Sequence, residues 1–336
     1  MNQLGTEHSF SNSVSVAMCT FNGARFLLEQ LNSIAAQTRP PDELVVSDDG
    51  STDDTVAIVE TFSRKAAFPV RLFVNERRLG STKNFEKTIS LCRAGLIALA
   101  DQDDLWHPEK LAVQEWALRS RAVGGVFSDA EAIGPEGQPL GYRLWESVGF
   151  WRHEQALVQA GKATPLLLRQ KFVTGATLMF RTDYRSAALP IPENWIHDAW
   201  IALVVAALGG LTFSERPLVQ YRQHSNNQIG AARPVRGIAA LLAPLARARR
   251  WNAEISEELA QYQVAVGRFR RMLPFGLEPT LIPELEQKVT HLQERVDLPR
   301  ATLRRVPIVL KGLGSGRYHR YSAGLRSAAK DLVVRS

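Results

Sequence analysis

The chain has 336 residues, a hydrophobic content of 45% and a formal net charge of +7, values that are ordinary for a globular protein. Its two cysteines, Cys19 and Cys92, lie in apolar patterns, which argues against a disulfide framework and favours a reducing cytosol. The first twelve residues lack the pattern of a signal peptide, and the longest apolar run, 200–213, is too short to cross a bilayer. We therefore expect a cytoplasmic protein.

The first hundred residues alternate between apolar strands and amphipathic helices. Asn22 is expected to cap the first helix, and Ser51 with Asp54 resembles a capping box that opens the second. The predicted strands are 14–18, 44–46, 70–74 and 96–100. This alternation is typical of an α/β fold with a mostly parallel sheet flanked by helices and a nucleotide-sized crevice at its strand ends.

Beyond residue 100 the alternation becomes less regular. Pro108 is expected to open a helix that has Leu111 and Trp116 on its apolar side. Further strands are predicted at 125–128, 177–180 and 218–221, and helices at 197–209, 254–272, 284–296 and 322–334. Neither a Gly-x-Gly-x-x-Gly fingerprint nor a Walker-type phosphate loop occurs, so two common nucleotide-binding motifs are excluded.

Three carboxylates, Asp101, Asp103 and Asp104, follow the fourth predicted strand directly. Carboxylates crowded at one point repel one another unless a cation or a proton lies between them. Oxygen ligands at a strand end suit Mg²⁺ or Mn²⁺, ions that commonly carry a substrate's phosphates. The alternative is a polar turn whose acidic residues favour the start of the next helix.

The C-terminal region, 231–336, has a net charge of +10, whereas the rest of the chain has a net charge of −3. This asymmetry suggests an anionic partner, and we expect a membrane surface because no nucleic-acid-binding motif is present. The alternatives are a solvated helical face and an oligomerisation surface. The residues expected to lie on the membrane are Leu241, Leu245 and Ala248, beside Arg247, Arg249 and Arg250.

Three glycines near the end of the chain, Gly312, Gly314 and Gly316, are expected to loosen it before the last helix. Long helices with a short break between them complete the predicted C-terminal region.

Six short segments carry motifs in a fixed order. They are Val-Ser-Val-Ala-Met-Cys-Thr-Phe-Asn-Gly at 14–23, Asp-Asp-Gly-Ser-Thr-Asp at 48–53, Asp-Gln-Asp-Asp-Leu-Trp-His-Pro-Glu-Lys-Leu at 101–111, Thr-Gly-Ala-Thr-Leu at 174–178, His-Asp-Ala-Trp at 197–200 and Tyr-Arg-Gln-His-Ser-Asn-Asn at 221–227. Together they resemble the inverting glycosyltransferases of family 2, which have the GT-A fold. The third and sixth segments are most similar to the bacterial rhamnosyltransferase branch.

The resemblance implies a GT-A catalytic domain at 1–230 and a basic helical C-terminal region at 231–336. It also implies a nucleotide-sugar donor, a divalent metal and an acceptor in one cleft. Asp49 would accept the N3–H of uracil or thymine, and Asp198 would be the general base that deprotonates the acceptor hydroxyl. Asp103 would bind Mg²⁺ or Mn²⁺, and His224 would be a further metal ligand or a phosphate partner. The other implied contacts are Cys19, Phe21, Lys83 and Asp101 for the donor, and Trp106, Gly175 and Ala176 for the acceptor. Cys19 departs from the Pro or Thr that is usual in this motif.

The implied function is inverting transfer of a sugar to a glycan or lipid-linked glycan acceptor in the synthesis of bacterial cell-surface polysaccharide, such as lipopolysaccharide, at the inner face of the membrane. The donor expected from the branch is dTDP-L-rhamnose, and a UDP-sugar is the alternative. Should Asp198 not be the base, Asp104 and Asp129 are the next candidates.

Two functions of other classes compete with glycosyl transfer. A sugar-nucleotide pyrophosphorylase would need a Gly-rich loop bearing Arg and Lys after the first strand, which residues 19–25 do not supply. A non-catalytic glycan-binding protein is disfavoured because Asp49, Asp103, Asp198 and His224 are all intact.

Overall fold

The computed structural model describes residues 13–225, 251–273, 276–277 and 279–333. Within these residues the strands form one mixed sheet in the order β3-β2-β1-β4-β8-β6-β9-β5, with β7 paired to β6. The strands are β1 (Val14–Thr20), β2 (Glu43–Asp48), β3 (Val70–Val74), β4 (Leu96–Ala100), β5 (Leu105–Trp106), β6 (Gly125–Ile133), β7 (Pro139–Arg143), β8 (Met179–Arg181) and β9 (Leu211–Arg222). The predicted α/β fold is confirmed.

The first four strands pair in parallel, and this half of the sheet has the predicted doubly wound arrangement. Every residue of β2 and β4 is buried, which is why β4 and the centre of β2 read as apolar runs. Thr20 pairs with Asp48, and Met18 pairs with Ala100, so the carboxyl ends of β1, β2 and β4 lie at one edge. The segments that follow these strands are therefore brought together.

The other half of the sheet is mixed. β8 pairs antiparallel with both β4 and β6, whereas β6 and β9 pair in parallel along most of their length. The predicted strand at 125–128 is the beginning of β6, which continues to Ile133, so Asp129 lies within the strand and not at its end. The predicted strand at 218–221 is likewise the end of the longer β9.

Helices cover both sides of the sheet and form the C-terminal region. They are α1 (Ala24–Ala35), α2 (Thr55–Ser63), α3 (Ser81–Leu91), α4 (Lys110–Ala117), α5 (Leu144–Val148), α6 (Arg152–Gln159), α7 (Ala163–Arg169), α8 (Arg185–Ala188), α9 (His197–Gly209), α10 (Trp251–Met272), α11 (Leu281–Val296), α12 (Thr302–Gly314), α13 (Arg317–Tyr321) and α14 (Leu325–Val333). Two short 3-10 turns span Gly175–Thr177 and Thr182–Tyr184.

The residues predicted to cap the N-termini of α1 and α2 are wrong. Asn22 has a φ of 47° and lies before the cap position, where its Oδ1 accepts a hydrogen bond from the Thr52 N–H. Ser51 donates its hydroxyl to Asp48 and does not cap α2, which begins only at Thr55. Both side chains instead tie the loops after β1 and β2 together.

Two other local predictions are wrong. Trp116 is 66% exposed and does not belong to the apolar face of α4, whereas Leu111 is buried as expected. Gly312 and Gly314 lie within α12, so the chain breaks only at Gly316, which has a φ of 75°. The predicted membrane-facing residues from Leu241 to Arg250 lie outside the described residues.

Helix α10 packs on the outer face of α9 and extends the hydrophobic core of the sheet. The ring of Phe269 lies 5.7 Å from that of Trp200, and the ring of Tyr262 lies 5.4 Å from that of Trp195. Leu285 and Leu292 of α11 belong to the same buried cluster. The predicted helical character of the C-terminal region is thus seen, while its independence as a domain stays a prediction.

Candidate active site

A cavity of about 660 Å³ opens at the carboxyl ends of β1, β2 and β4. It collects residues from all the motif-bearing segments, although they are far apart in the sequence. The predicted site residues that line it are Cys19, Phe21, Asp49, Asp101, Asp103, Gly175, Asp198 and His224. A cavity at this edge of an open α/β sheet is where ligands of such folds bind.

Asp49, which directly follows β2, holds the loop that leads into α3. Its Oδ1 accepts hydrogen bonds from the Leu79 N–H at 2.7 Å and from the Asn75 side chain at 2.9 Å. Its Oδ2 accepts the Gly80 N–H at 2.8 Å. An ionised carboxylate has about four acceptor positions, so one position remains for a ligand donor such as the N3–H of a pyrimidine base.

The wall beside Asp49 is built by the turn after β1. Phe21 donates its N–H to Gln102 Oε1 and accepts the Gln102 Nε2–H at its carbonyl, so one side chain pairs with both backbone groups. The Arg78 guanidinium lies 3.9 Å from the Phe21 ring centroid, which is a cation–π distance. Cys19 Sγ lies 3.2 Å from Thr88 Oγ1. Burial raises the pKa of the Cys19 thiol, so it is a neutral wall residue.

Asp101, Asp103 and Asp104 lie close enough together to disturb one another. Burial, followed by the charges of Asp103 and Asp198, raises the pKa of Asp101 to about 7. Burial, followed by the charges of Asp103 and Asp101, raises the pKa of Asp104 as well. The Asp104 Oδ2 atom is buried without a hydrogen-bond partner among the described residues. This edge of the sheet therefore lacks the protein donors that would hold all three carboxylates in their ionised form.

Lys110 is a buried cation beneath this cluster. Burial lowers its pKa to about 7, against the opposing effect of Asp104 and Asp101. Its Nζ lies 3.4 Å from the centroid of the Trp106 ring and has no hydrogen-bond partner among the described residues. A single buried lysine can offset only part of the charge of three carboxylates.

Asp103 faces His224 across the cavity floor. Asp103 Oδ2 and His224 Nε2 are 2.8 Å apart, and the His224 ring stacks on Phe26 with centroids 4.9 Å apart. Arg222, just before this histidine, is buried and donates from Nε to the Asp103 carbonyl at 2.7 Å. Its backbone N–H donates to Asp104 Oδ1 at 3.0 Å. The end of β9 is thus locked to the loop after β4.

Asp198 lies in the first turn of α9. Its Oδ2 accepts the Gly175 N–H at 3.0 Å, and its Oδ1 accepts the Ala199 N–H at 2.6 Å. A methyl group added at Gly175 would lie 3.4 Å from the Asp198 Cβ, so the 3-10 turn and the helix are in close contact. The carboxylate is only partly buried and lines the cavity, so it remains accessible to a substrate hydroxyl.

His197, the residue before Asp198, is the most deeply buried polar group of the cavity wall on α9. Its ring stacks on Phe85 at a centroid distance of 4.0 Å and an interplanar angle of 18°. Neither of its ring nitrogens has a hydrogen-bond partner among the described residues. Burial lowers the pKa of His197, so the ring is neutral at pH 7.

Three predicted site residues do not line the cavity. Lys83 Nζ pairs with Glu86 at 2.9 Å and donates to the Ile191 carbonyl at 2.7 Å, which directs it away from the donor. Trp106 and Ala176 are buried in the core behind the cavity wall. Direct donor contact by Lys83, and direct acceptor contact by Trp106 and Ala176, therefore find no support in this arrangement.

The two reserve candidates for the base are also outside the cavity. Asp104 is buried behind Asp103, and Asp129 Oδ1 accepts the N–H groups of Trp145 and Ala130. Sequence reasoning missed the roles of Arg222, Gln102 and Lys110 in supporting the site. All three lie inside the quoted motifs, but their side-chain directions depend on tertiary partners.

Comparison with known proteins agrees with this geometry. Residues 15–160 match the sequence model of the family described as "Glycosyl transferase family 2". The chain therefore carries a segment of the glycosyltransferase family 2 type, which covers less than half of its length. An uncharacterized glycosyltransferase of Nostoc sp. is 26% identical over 65% of this chain and 67% of its own length. The dTDP-rhamnosyl transferase RfbG of Shigella flexneri is 28% identical over 64% of this chain and 74% of its own length.

Solved glycosyltransferases share the fold of this chain. Staphylococcus aureus TarS 1-349 in complex with UDP-GlcNAc aligns with a TM-score of 0.53 and 17% identity, over 96% of this chain and 90% of TarS 1-349. The mannosyltransferase PcManGT of Pyrobaculum calidifontis, in complex with GDP-Man and Mn²⁺, aligns with a TM-score of 0.53 and 17% identity over 99% of this chain and 89% of its own. The chain thus has the fold of GT-A transferases, and its sequence relatives are glycosyltransferases, which favours glycosyl transfer over the pyrophosphorylase and the non-catalytic glycan-binding interpretations.

Proposed function

We propose that this chain is a family 2 glycosyltransferase that transfers L-rhamnose, with inversion, from dTDP-L-rhamnose to a glycan or lipid-linked glycan acceptor in the synthesis of a bacterial cell-surface polysaccharide. The observation that carries the proposal is that the Asp103–His224 pair and the Asp198 carboxylate line one cavity with Asp49. The rhamnose donor is supported by the similarity to RfbG. A UDP-sugar remains the alternative donor, because uracil and thymine present the same N3–H to Asp49.

The proposed reaction is a single displacement. Asp198 accepts the proton of the acceptor hydroxyl as its oxygen bonds to the anomeric carbon, and the bond from that carbon to the nucleotide diphosphate breaks. The bonding electrons leave with the diphosphate, and attack from the opposite face inverts the anomeric configuration. Gly175 and Ala199 hold the Asp198 carboxylate through their N–H groups. No covalent enzyme intermediate is required.

The residues present fit a divalent cation that is shared with the donor. Asp103 supplies a carboxylate oxygen and His224 an imidazole nitrogen, 2.8 Å apart. The described residues contain no group of three or more His, Cys, Asp and Glu side chains that could hold a metal alone. Mg²⁺ and similar ions commonly take one or two protein ligands and complete their coordination with substrate phosphates and water. A bound Mg²⁺ or Mn²⁺ would neutralise charge on the departing diphosphate.

The direct test is release of the nucleotide diphosphate from dTDP-L-rhamnose and from UDP-sugars, with Mn²⁺ and with EDTA. Wild-type protein is expected to release dTDP only when the metal is present. Full activity in excess EDTA would overturn the metal requirement, and release of UDP but not dTDP would assign the alternative donor.

The base is tested by Asp198→Asn, which keeps the shape of the side chain but removes its ability to accept a proton. We expect transfer to slow by about 10²- to 10⁴-fold with little change in donor affinity. Asp183→Asn, at an exposed acidic residue in another helical turn, is the matched control. Wild-type turnover in Asp198→Asn would show that Asp198 is only a helix-end carboxylate.

We also propose that the basic C-terminal region contacts an anionic membrane. No helix within the described residues is long and apolar enough to cross a bilayer. Helices α12 and α14 nevertheless expose leucines to solvent, with Leu303 at 86%, Leu310 at 58% and Leu325 at 66%. The exposed basic residues on the same two helices are Arg304, Lys311 and Arg326. Exposed apolar and basic residues side by side are typical of a surface that lies on a membrane.

Flotation with vesicles tests this contact. Wild-type protein should bind vesicles of phosphatidylglycerol and phosphatidylcholine more strongly than phosphatidylcholine alone, and Leu303→Ser/Leu310→Ser should weaken this binding. Leu28→Ser, at a leucine of α1 that is also exposed, is the control. Equal recovery with neutral and anionic vesicles would overturn the electrostatic part of the proposal.

A further inference from the structure

His197 is a polar side chain that the proposed mechanism leaves without a task. It is 7% exposed and lines the catalytic cavity, yet neither ring nitrogen has a hydrogen-bond partner among the described residues. A buried polar atom without a partner destabilises a fold, and most buried polar atoms in native proteins are therefore paired. A phenylalanine would fill the same space without the free-energy penalty of unpaired buried nitrogens. The unpartnered nitrogens therefore point to a ligand that pairs with them.

The contacts of His197 place its Nε2 atom beside Gly175. One face of its ring is covered by Phe85 of α3, with the two ring planes 18° apart. A methyl group added at Gly175 would lie 3.0 Å from His197 Nε2, so this nitrogen lies beside a residue that has no side chain. Gly175 also donates its N–H to Asp198. His197 Nε2 is thus close to the proposed base, in the wall of the cavity that His197 and Asp198 both line.

The chemistry of the ring narrows the ligand further. The neutral imidazole offers one N–H donor and one acceptor nitrogen, and a sugar hydroxyl can match either. The stacking partner, Phe85, lies on α3, and the loop before α3 is held by Asp49, the residue proposed to bind the base of the donor. This places His197 between the donor loop and the catalytic carboxylate.

We infer that His197 binds a ring hydroxyl of the donor's sugar through Nε2 and thereby selects the sugar that is transferred. This inference rests on the proposed function, because it needs a nucleotide sugar in the cavity. It adds a specificity residue that is separate from the base and from the metal-binding pair.

Three variants test the inference. His197→Phe keeps the stacking on Phe85 and removes both nitrogens, and we expect it to lower kcat/KM for hydrolysis of dTDP-L-rhamnose by about 10- to 100-fold. His197→Gln places an amide near the position of Nε2 and should recover most of the loss. His153→Phe makes the same substitution at an exposed helical residue and should have no effect.

Two further measurements separate sugar binding from a structural role. By calorimetry with Mn²⁺, His197→Phe should bind dTDP like wild type but lose affinity for dTDP-L-rhamnose. Its thermal midpoint should be equal to or above that of wild type, because the buried unpartnered nitrogens are gone. The same titrations are made with dTDP-rhamnose analogues that each lack one ring hydroxyl. For the analogue that lacks the hydroxyl bound by His197, His197→Phe should bind as tightly as wild type, because the interaction is already absent.

The outcomes are distinguishable. Wild-type kinetics and donor affinity in His197→Phe would overturn the inference while leaving the proposed function intact, and so would a loss of transfer without any change in donor binding or hydrolysis. If wild-type protein binds neither dTDP-L-rhamnose nor a UDP-sugar, the proposed function itself fails and the inference fails with it.

Discussion

The loops after β2 and after β4 both carry paired carboxylates at the same edge of the sheet, but the protein treats them differently. Asp48, at the end of β2, accepts four hydrogen bonds, from the Gly50 and Ser51 N–H groups and from the hydroxyls of Thr20 and Ser51. Asp104, after β4, accepts the Arg222 backbone N–H at one oxygen, and its other oxygen has no partner among the described residues. Asp48 is saturated by protein donors, and Asp104 is not.

This difference distinguishes a carboxylate that stabilises a loop through its hydrogen bonds from a carboxylate that needs an external cation or a proton. A saturated carboxylate lowers the free energy of the fold, because its donors would otherwise be unpaired. A crowded and undersatisfied cluster raises it, unless a cation arrives from outside. The acidic residues in the two loops look alike in sequence, and only their donors distinguish their roles.

The strongest test of the comparison is removal of Asp103. Asp103→Ala should abolish transfer, with a loss of about 10³-fold or more, because the metal-binding pair is broken. The metal-free protein should be as stable as wild type, since one charge of the repelling cluster is gone. Turnover, and dTDP binding with and without Mn²⁺, check the first expectation, and thermal unfolding in EDTA checks the second. An active Asp103→Ala variant would show that this cluster does not bind the metal.

The matching change in the saturated loop should have the opposite signature. Asp48→Ala leaves buried donors unpaired and should lower the free energy of unfolding by about 3 kcal/mol. Urea denaturation of the two alanine variants gives this comparison directly. A stable Asp48→Ala protein would contradict the structural role that its four hydrogen bonds indicate.

A smaller effect is expected from pH. Asp101 has a pKa of about 7 in the folded protein, raised by burial, Asp103 and Asp198, against about 4 in an unfolded chain. The folded state therefore holds a proton that the unfolded chain releases. The resulting stabilisation is complete below about pH 4 and is lost as pH rises to about 7, at no more than about 1.4 kcal/mol per pH unit.

Thermal unfolding of the metal-free protein between pH 4 and pH 8 measures this loss. Asp101→Asn should flatten the profile, since the amide does not titrate. An unchanged slope in this variant would show that other groups, such as Asp104, determine it.

The smallest effect is expected at Lys83, which lies in α3 and whose side-chain partners, Glu86 and the Ile191 carbonyl, lie outside both loops. Lys83→Ala breaks a partly exposed ion pair with Glu86 and should cost at most about 1 kcal/mol of stability. Donor affinity should stay within about threefold of wild type. Calorimetry with dTDP and Mn²⁺ checks this, and a large loss of affinity would restore the donor contact that the sequence motif implied.

Much of the fold was predictable because its buried strands are short apolar runs with polar ends. β3 and β4 have the predicted bounds, as does α9, whose residues are nearly all buried. β6 and β9 were predicted too short, because their polar residues, such as Ser214 and Glu215, interrupt the apolar pattern while the strands continue to pair. Pairing is a tertiary property that local hydrophobicity does not report.

The site was predictable to the extent that its residues directly follow strands. Asp49 and Asp103 fall in the cavity because the sheet aligns the ends of β2 and β4. Trp116 was misplaced, and the direction of the Lys83 side chain could not be predicted, because a long or amphipathic side chain can turn to either side of a helix and the partner that decides lies elsewhere in the chain. The donor contact of Lys83 stays a prediction. Arg222 was missed for the same reason, since its burial depends on Phe26 and Glu29 of α1.

The contact between α9 and α10 limits where the chain can be truncated. Trp200 of the helix that carries Asp198 packs on Phe269 of α10. Beside this contact, the Trp195 Nε1–H donates to the Gln261 carbonyl of α10, and the Tyr262 hydroxyl of α10 donates to the Leu167 carbonyl of α7. A fragment that stops at residue 230 would expose Trp195 and Trp200 to water and leave the base on an uncovered helix. Expression fragments and gene fusions should therefore keep the chain at least to Leu292, beyond both the matched family segment and the boundary that composition suggests.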